Sequence, residues 1–331
     1  MLSAPTKIHL LTALSLLLTL GTPALAELKD SPAPALKDHY LVTEGVNLHY
    51  VESGSGQPIV LLHGNDGTLQ DFTMSVFNQL SAKYQTFTFD RPGHGDSKIL
   101  PGAKLATPER QAQILHNALI KLQVSRPILV AQSWSGSVAL SYALQYPDDL
   151  SGIVLLGGMA YDTGGSKLIY RLAQVPIVGS ALRLVFKDTC GWWVEKQLRN
   201  AFIPDDAPQP YVDRFLSSTL RLSQLKAAAR DEVTINPTLK RISRRYGSIN
   251  LPVIIVTGDH DMTVSPQQNS YPLHKAIPAS RLIVVHNAGH ELGFTRPQEV
   301  MKAIDLAVQL SRSWTHLSNP AATVEIEATP K

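Results

Sequence analysis

The sequence predicts an α/β fold: a mostly parallel central sheet flanked by helices, with a long insertion after the sixth strand. Three observations carry this expectation. Short, continuous Val/Ile/Leu runs recur at residues 58–62, 127–131, 152–156, 252–257 and 281–285. Helix-compatible segments separate several of them. The chain, at 331 residues, is long enough to bury such a sheet on both sides. Unbroken apolar strands that alternate with helices belong to parallel sheets covered on both faces.

The elements follow in order. Residues 40–42 (YLV) and 46–51 (VNLHYV) predict two short strands around Glu44-Gly45. Residues 58–62 (PIVLL) end at His63-Gly64, and the strand at 86–90 is stopped by Arg91-Pro92-Gly93. Thr107-Pro108 starts a helix that runs to about Leu122, because Thr suits the N-cap and Pro the first turn. The strand at 127–131 (PILVA) leads into a helix from Ser135 to Tyr146, ended by Pro147. A buried strand at 152–156 (GIVLL) precedes a long gap. The strands at 252–257 and 281–285 resume the pattern, and a last helix spans about 297–313.

Composition narrows the function classes. With 44% hydrophobic and 17% charged residues, the chain is too apolar to be disordered. Its 30 basic residues nearly balance its 27 acidic ones. No basic stripe with interleaved aromatics is present, so no nucleic acid partner is expected. Cys190 is the only cysteine, which excludes an intramolecular disulfide. Beside Trp192 and Trp193, it reads as a packed apolar residue.

The first 26 residues are expected to be a signal peptide. Lys7 and His9 begin it, an apolar run extends from Ile8 to Leu20, and Ala24-Leu25-Ala26 gives the small-x-small cleavage pattern. The run is short of the roughly 20 residues that span a bilayer. The expected location is periplasmic or secreted, with the mature chain starting near Glu27; the alternative is an uncleaved N-terminal anchor. Residues 27–38 read as a Pro-rich linker, 39–158 and 249–317 as the core, 159–248 as the cap, and 318–331 as a loose tail.

In an open α/β sheet, ligands bind beyond the carboxyl ends of the strands. The unusual residues lie there. Ser133 stands in Ala131-Gln132-Ser133-Trp134-Ser135-Gly136, between a buried strand and a helix. A serine on such a turn is held above the sheet, and small flanking residues let strand and helix approach. A serine after a strand is also commonly a plain helix N-cap. As a nucleophile it needs a base, and the base needs an orienting acid, in the order serine, acid, histidine. The strand at 252–257 is followed by Gly258-Asp259-His260-Asp261, and the strand at 281–285 by Asn287-Ala288-Gly289-His290. His290 is the candidate base. Asp261 is favoured over Asp259 as the acid, because the loop must reach across to the histidine. His260 and His286 are expected to be structural or solvated. For the oxyanion, one donor is expected from the Trp134 N–H and the other from Asn65 in Leu62-His63-Gly64-Asn65. His63 is expected to fix this loop.

The chain resembles the α/β-hydrolase superfamily from about residue 40 to 315. The segments that carry the resemblance are LLHGN (61–65), DRPGHGDS (90–97), VAQSWSGSVALSYALQYP (130–147), IVLLGG (153–158), VTGDHDMTVSP (256–266) and HNAGHELGFTRPQEV (286–300). The resemblance implies a Ser133-Asp261-His290 triad with Asn65 and Trp134 as the oxyanion hole. The departures are Ala131, Gln132 and Ser135, where the family usually has glycine, histidine and glycine. The resemblance also makes 159–248 a helical lid. Within it, the apolar stretch 168–186 reads as two short helices broken by Pro176 and Gly179. The stretch is expected to pack its apolar face over the sheet, with an apolar acyl-binding channel or a membrane-facing lid as the alternative, and Trp192, Trp193, Phe202 and Phe215 could line either.

Asp90, His94 and Asp96 form a polar cluster that the resemblance makes a structural turn, without zinc-like spacing. No phosphate loop or dinucleotide fingerprint follows a strand, so no cofactor and no metal are expected. The leading expectation is an exported serine hydrolase, carboxylesterase-like, acting on a small apolar acyl or ester substrate. The alternatives are a proline-iminopeptidase-like aminopeptidase, a carbon–carbon bond hydrolase, or a catalytically silent binding protein on the same fold. An aminopeptidase needs a cap carboxylate for the substrate amine, with Glu195, Asp205, Asp206, Asp213 and Glu232 as candidates. A dehalogenase or epoxide hydrolase is disfavoured, because those relatives carry aspartate at the position of Ser133.

Overall fold

The computed structural model describes residues 36–103, 107–162, 164, 191–314 and 322–326. The signal segment, most of the linker, the apolar stretch 168–186 and Cys190 lie outside the described residues.

Ten strands form one sheet among the described residues. They are β1 His39–Thr43, β2 Val46–Ser53, β3 Pro58–Leu62, β4 Gln85–Phe89, β5 Lys98–Ile99, β6 Ile128–Gln132, β7 Gly152–Leu156, β8 Val253–Gly258, β9 Ser280–Val285 and β10 Ala322–Ile326. Their order is β1-β2-β4-β3-β6-β7-β8-β9-β10, with β5 paired to β2. β2 runs antiparallel to β1, β4 and β5, and the remaining pairs are parallel.

The apolar strands look unbroken in sequence but divide by a period of two in space. Val60, Leu62, Leu129, Ile153, Leu155, Val253 and Ile255 enter one core layer. Ile59, Leu61, Ile128, Val130, Val154, Leu156, Ile254 and Val256 enter the other. The first layer is covered by helices α3 Pro108–Lys121 and α4 Gly136–Gln145. The second is covered by α1 Gln70–Thr73, α2 Phe77–Ser81 and α10 Pro297–Arg312. Thr107 caps α3 as its sequence requires: its hydroxyl accepts the Arg110 N–H at 3.3 Å.

Between β7 and β8 the described residues hold three helices: α5 Gly191–Phe202, α6 Gln209–Thr219 and α7 Leu222–Ile242. Helices α8 Ser270–Ala276 and α9 Leu292–Thr295 complete the set. None of the described helices is long and apolar enough to cross a membrane.

Two expectations need correction. The insertion follows the seventh strand, not the sixth, because Lys98 and Ile99 pair with Asn47 and Val46 as a two-residue strand too short for a sequence pattern. The tail is not loose throughout. Residues 322–326 (ATVEI) pair in parallel with Arg281–Val285, where the outer edge of β9 offers open backbone groups and β-branched residues suit the ladder.

Candidate active site

The sheet order explains how distant residues come to one end of the sheet. β3, β6, β7, β8 and β9 are successive neighbours, spaced about 4.8 Å apart. Their carboxyl ends lead to Asn65, Ser133, Gly157, Asp261 and His290.

Ser133 follows β6 directly and opens one turn of 3-10 helix, Ser133–Ser135, that continues into α4. Its φ of 53° lies in the left-handed region. A non-glycine residue there costs about 1–3 kcal/mol and persists only where the surroundings impose it. The turn lifts the partly exposed serine out of a strand whose five residues are all buried. Gly64 is needed opposite: a Cβ at that position would come within 3.2 Å of the Ser133 Cβ. The departures at the turn have uses of their own. The Ser135 hydroxyl donates to the His63 carbonyl at 2.5 Å. The Gln132 amide donates to Glu291 Oε2 at 2.7 Å, and burial, only partly offset by the neighbouring His290 charge and this bond, raises the Glu291 carboxyl.

His290 lies 4% exposed and Asp261 5% exposed. His290 Nδ1 stands 2.7 Å from Asp261 Oδ2. The other carboxylate oxygen of Asp261 accepts the Thr263 and Val264 N–H groups at 2.9 and 2.8 Å, which fixes its plane. Burial pulls the imidazole towards the neutral form, but the Asp261 charge outweighs it and brings His290 up to about 9. Asp259 faces elsewhere, pairing with His260 at 2.7 Å and His286 at 2.9 Å. Gly157, at φ 52°, is a residue the sequence reading does not single out. A Cβ there would meet both Asp261 Oδ2 and His290 Nδ1 at 2.9 Å.

The loop after β3 is held from below. His63 is fully buried; its Nδ1 bonds the Gly64 carbonyl at 2.8 Å and its Nε2 accepts the Arg91 N–H at 2.9 Å. Burial and the Arg91 charge keep this imidazole well below its ordinary value. Arg91 and Asp231 also escape the sequence reading. The buried Arg91 guanidinium pairs with Asp231, a fully buried carboxylate on α7, at 2.5 Å. Asp231 also accepts from His94 Nε2 at 2.9 Å and Gln111 Nε2 at 3.1 Å. Asp231 is held down at about 2, where Arg91 and His94 overcome the burial penalty, and burial and Arg91 lower His94 to about 4. Asp90 instead organises its own turn, binding the Leu69 and Asp96 N–H groups at 2.8 Å each and His49 Nδ1 at 2.7 Å. Among the described residues no His/Cys/Asp/Glu group could hold a metal ion.

The insertion residues divide. Phe202 is buried against Tyr211 and Phe294, and Phe215 packs on Tyr211. Trp192 and Trp193 are exposed. Glu195 pairs with Arg199, Asp205 with Arg296, and Asp213 accepts from Gln209. Asp206 is exposed. Glu232 is brought to the loop after β3, accepting the Asn65 side-chain amide at 3.2 Å. Desolvation by the surrounding walls, with Glu232 beside it, holds the neighbouring Asp66 at about 6 although solvent reaches it.

Comparison with known proteins gives the family. A family model described as the alpha/beta hydrolase fold matches residues 57–297. The chain is 27% identical over 259 residues to a 2-hydroxy-6-oxononadienedioate/2-hydroxy-6-oxononatrienedioate hydrolase of Paraburkholderia phymatum, covering 74% of this chain and 85% of that protein. It is 26% identical over 306 residues to a Leptolyngbya boryana protein named "Probable proline iminopeptidase", covering 82% and 91%. A thermophilic esterase from Thermogutta terrifontis shares the fold with a TM-score of 0.66 at 19% identity, over 83% of this chain and 99% of that one. The chain belongs to the α/β-hydrolase family and is a hydrolase.

Proposed function

We propose that the protein is an exported serine hydrolase that cleaves carboxylic esters through Ser133, His290 and Asp261. The observation that carries this reading is the His290–Asp261 pair at 2.7 Å, whose members follow the third and second strands along the sheet from a serine held at φ 53°. A strained serine, a paired imidazole and a buried carboxylate are the parts nucleophilic catalysis requires.

In the reaction, Ser133 Oγ bonds to the ester carbonyl carbon as His290 Nε2 takes its proton. The Asn65 and Trp134 N–H groups receive the developing oxyanion; among the described residues, neither is engaged by a backbone carbonyl. Collapse breaks the ester C–O bond, and His290 passes the proton to the departing alkoxide. The acyl-enzyme then reacts with a water that gives its proton to His290, which releases the acid and restores Ser133.

A fluorophosphonate probe tests the reading. Covalent labelling of Ser133 is expected, abolished in Ser133→Ala and weakened in His290→Ala; a folded wild-type protein that takes no label contradicts it. Export rests on the pattern of residues 1–26. Terminal sequencing of the native protein is expected to begin near Glu27, and recovery of an intact first segment in the membrane fraction favours the anchor instead.

The second reading, aminopeptidase action, is favoured by Glu232, whose carboxylate lies on the Asn65 side chain and beside Asp66. Turnover of a prolyl naphthylamide in preference to p-nitrophenyl esters, lost in Glu232→Gln, replaces the ester reading with it.

A further inference from the structure

Arg91 has five N–H donors in a rigid fork, and the structure occupies them all. Nε donates to the His63 carbonyl at 3.2 Å. One terminal nitrogen donates to the carbonyls of Gly64 at 2.9 Å and Asn65 at 3.4 Å. The other donates to Gln111 Oε1 at 3.1 Å and Asp231 Oδ2 at 2.5 Å. The central carbon of the same guanidinium lies over the Trp134 ring, 4.3 Å from its centroid. One planar cation therefore touches both segments expected to supply oxyanion donors: three successive carbonyls of the 63–65 loop, and the side chain of the residue after the nucleophile.

The fork cannot hold that orientation alone. Its anchor is Asp231, which comes from α7 in the insertion rather than from the sheet. Asp231 is itself fixed by three further groups. His94 Nε2 donates to the oxygen that Arg91 uses, and Gln111 Nε2 donates to the other. Gln224 Nε2, on α7 as well, donates to His94 Nδ1 at 2.9 Å, which sets the histidine tautomer so that its Nε2–H points at Asp231. The Arg91, Asp231, His94, Gln111 and Gln224 side chains are thus hydrogen-bonded to one another in series, and a buried ionic network joined in this way orders its surroundings.

We infer that Asp231 and Arg91 are positioning residues for the oxyanion hole: the insertion carboxylate holds the guanidinium, and the guanidinium fixes the Asn65 backbone and the Trp134 indole relative to Ser133. Neither residue touches the reacting atoms. Their effect is on the aim of two N–H groups, whose donors must sit at about 2.7–3.1 Å from the tetrahedral oxygen to stabilise it. The inference rests on the serine-hydrolase reading above and adds that the insertion takes part in transition-state stabilisation as well as in covering the site.

The test uses the full-length protein, titrated with fluorophosphonate so that rates are expressed per competent Ser133. Asp231→Asn and Arg91→Lys are expected to lower kcat towards a p-nitrophenyl ester about 10- to 100-fold per titrated site. KM stays within about twofold, since ground-state binding does not use the oxyanion geometry. A boronic acid, which becomes tetrahedral on Ser133, is expected to lose affinity by the same factor as kcat/KM. Removing one partner of a buried pair is destabilising, whereas replacing both with apolar residues is often neutral. The Arg91→Met/Asp231→Leu double variant therefore accompanies the single ones and is expected to fold with the same loss of kcat. A folded double variant with wild-type kcat per titrated site and wild-type boronate affinity overturns the inference. So do single variants whose whole loss lies in a smaller titratable fraction. A wild-type protein that takes no fluorophosphonate instead overturns the serine-hydrolase reading, a separate and recognisable outcome.

Discussion

His290 sits under two opposing influences. Burial favours the neutral imidazole, and Asp261 at 2.7 Å favours the charged one, with the balance at about 9. A general base must be neutral before it can accept a proton. The consequence is a kcat/KM that rises with pH up to about 9, measured with an ester whose own hydrolysis is subtracted. Asp261→Asn removes the charge that raises the imidazole, so the rising limb moves to lower pH. The same change leaves the ring without its orienting carboxylate and costs on the order of 10³- to 10⁴-fold in kcat. Asp259→Asn leaves both the limb and kcat near wild type, because Asp259 is engaged with His260 and His286. Gly157→Ala is the second expectation at this scale. A methyl 2.9 Å from both members of the pair, at φ 52°, displaces one of them, and kcat falls while the chain keeps its fold. Ser133, Asp261, His290 and Asn65 are legible in the sequence because each stands just past an apolar run, and strand ends are easy to read. Gly157 also follows such a run, but its need shows only when its neighbours' side chains are placed.

Among the elements, α7 has the widest reach. It is amphipathic in the ordinary way, with Ala227, Ile235 and Leu239 buried, but its buried face also carries Asp231 and Gln224. A sequence pattern treats those two as polar residues of a solvated face. Their partners, Arg91 and His94, lie more than a hundred residues earlier, and no local spacing connects them. Helix α6 fastens the insertion at a second point, where the Tyr211 hydroxyl bonds Asp71 Oδ1 at 3.0 Å. Asp71 is buried, and burial together with Glu291 lifts its carboxyl well above the ordinary range. Tyr211→Phe leaves that buried oxygen with only the longer Thr68 N–H bond at 3.4 Å and is expected to cost about 1–3 kcal/mol in denaturant unfolding. Helix α5 reaches the loop after β9 through main chain, the Ala201 carbonyl accepting the His290 N–H at 2.8 Å and the Glu291 N–H at 3.3 Å. Strand β10 is hidden for a related reason: ATVEI carries Thr323 and Glu325 where the other strands are continuous apolar runs, and only the open edge of β9 gives it a place.

At the scale of the molecule, the sheet aligns the chemistry. Strands adjacent in space, β6 to β9 successive in the chain and β3 brought in beside β6, place Asn65, Ser133, Gly157, Asp261 and His290 in one row along their carboxyl ends. The two core layers, each drawn from alternate residues of the same strands, keep that row rigid. The fold class is therefore open to sequence reasoning, since it depends on hydrophobic runs and their order. The support beneath the site is not, because it depends on which buried polar groups find each other. The account turns on Ser133 forming a covalent bond to substrate. Rapid quenching of the wild-type protein with a p-nitrophenyl ester in acid, followed by intact-mass and peptide mapping, measures this directly. An added acyl mass on the peptide containing Ser133, appearing with a burst of p-nitrophenolate and absent from Ser133→Ala, is the predicted result. Steady turnover with no acyl mass on that peptide, and equal turnover by Ser133→Ala, would contradict it.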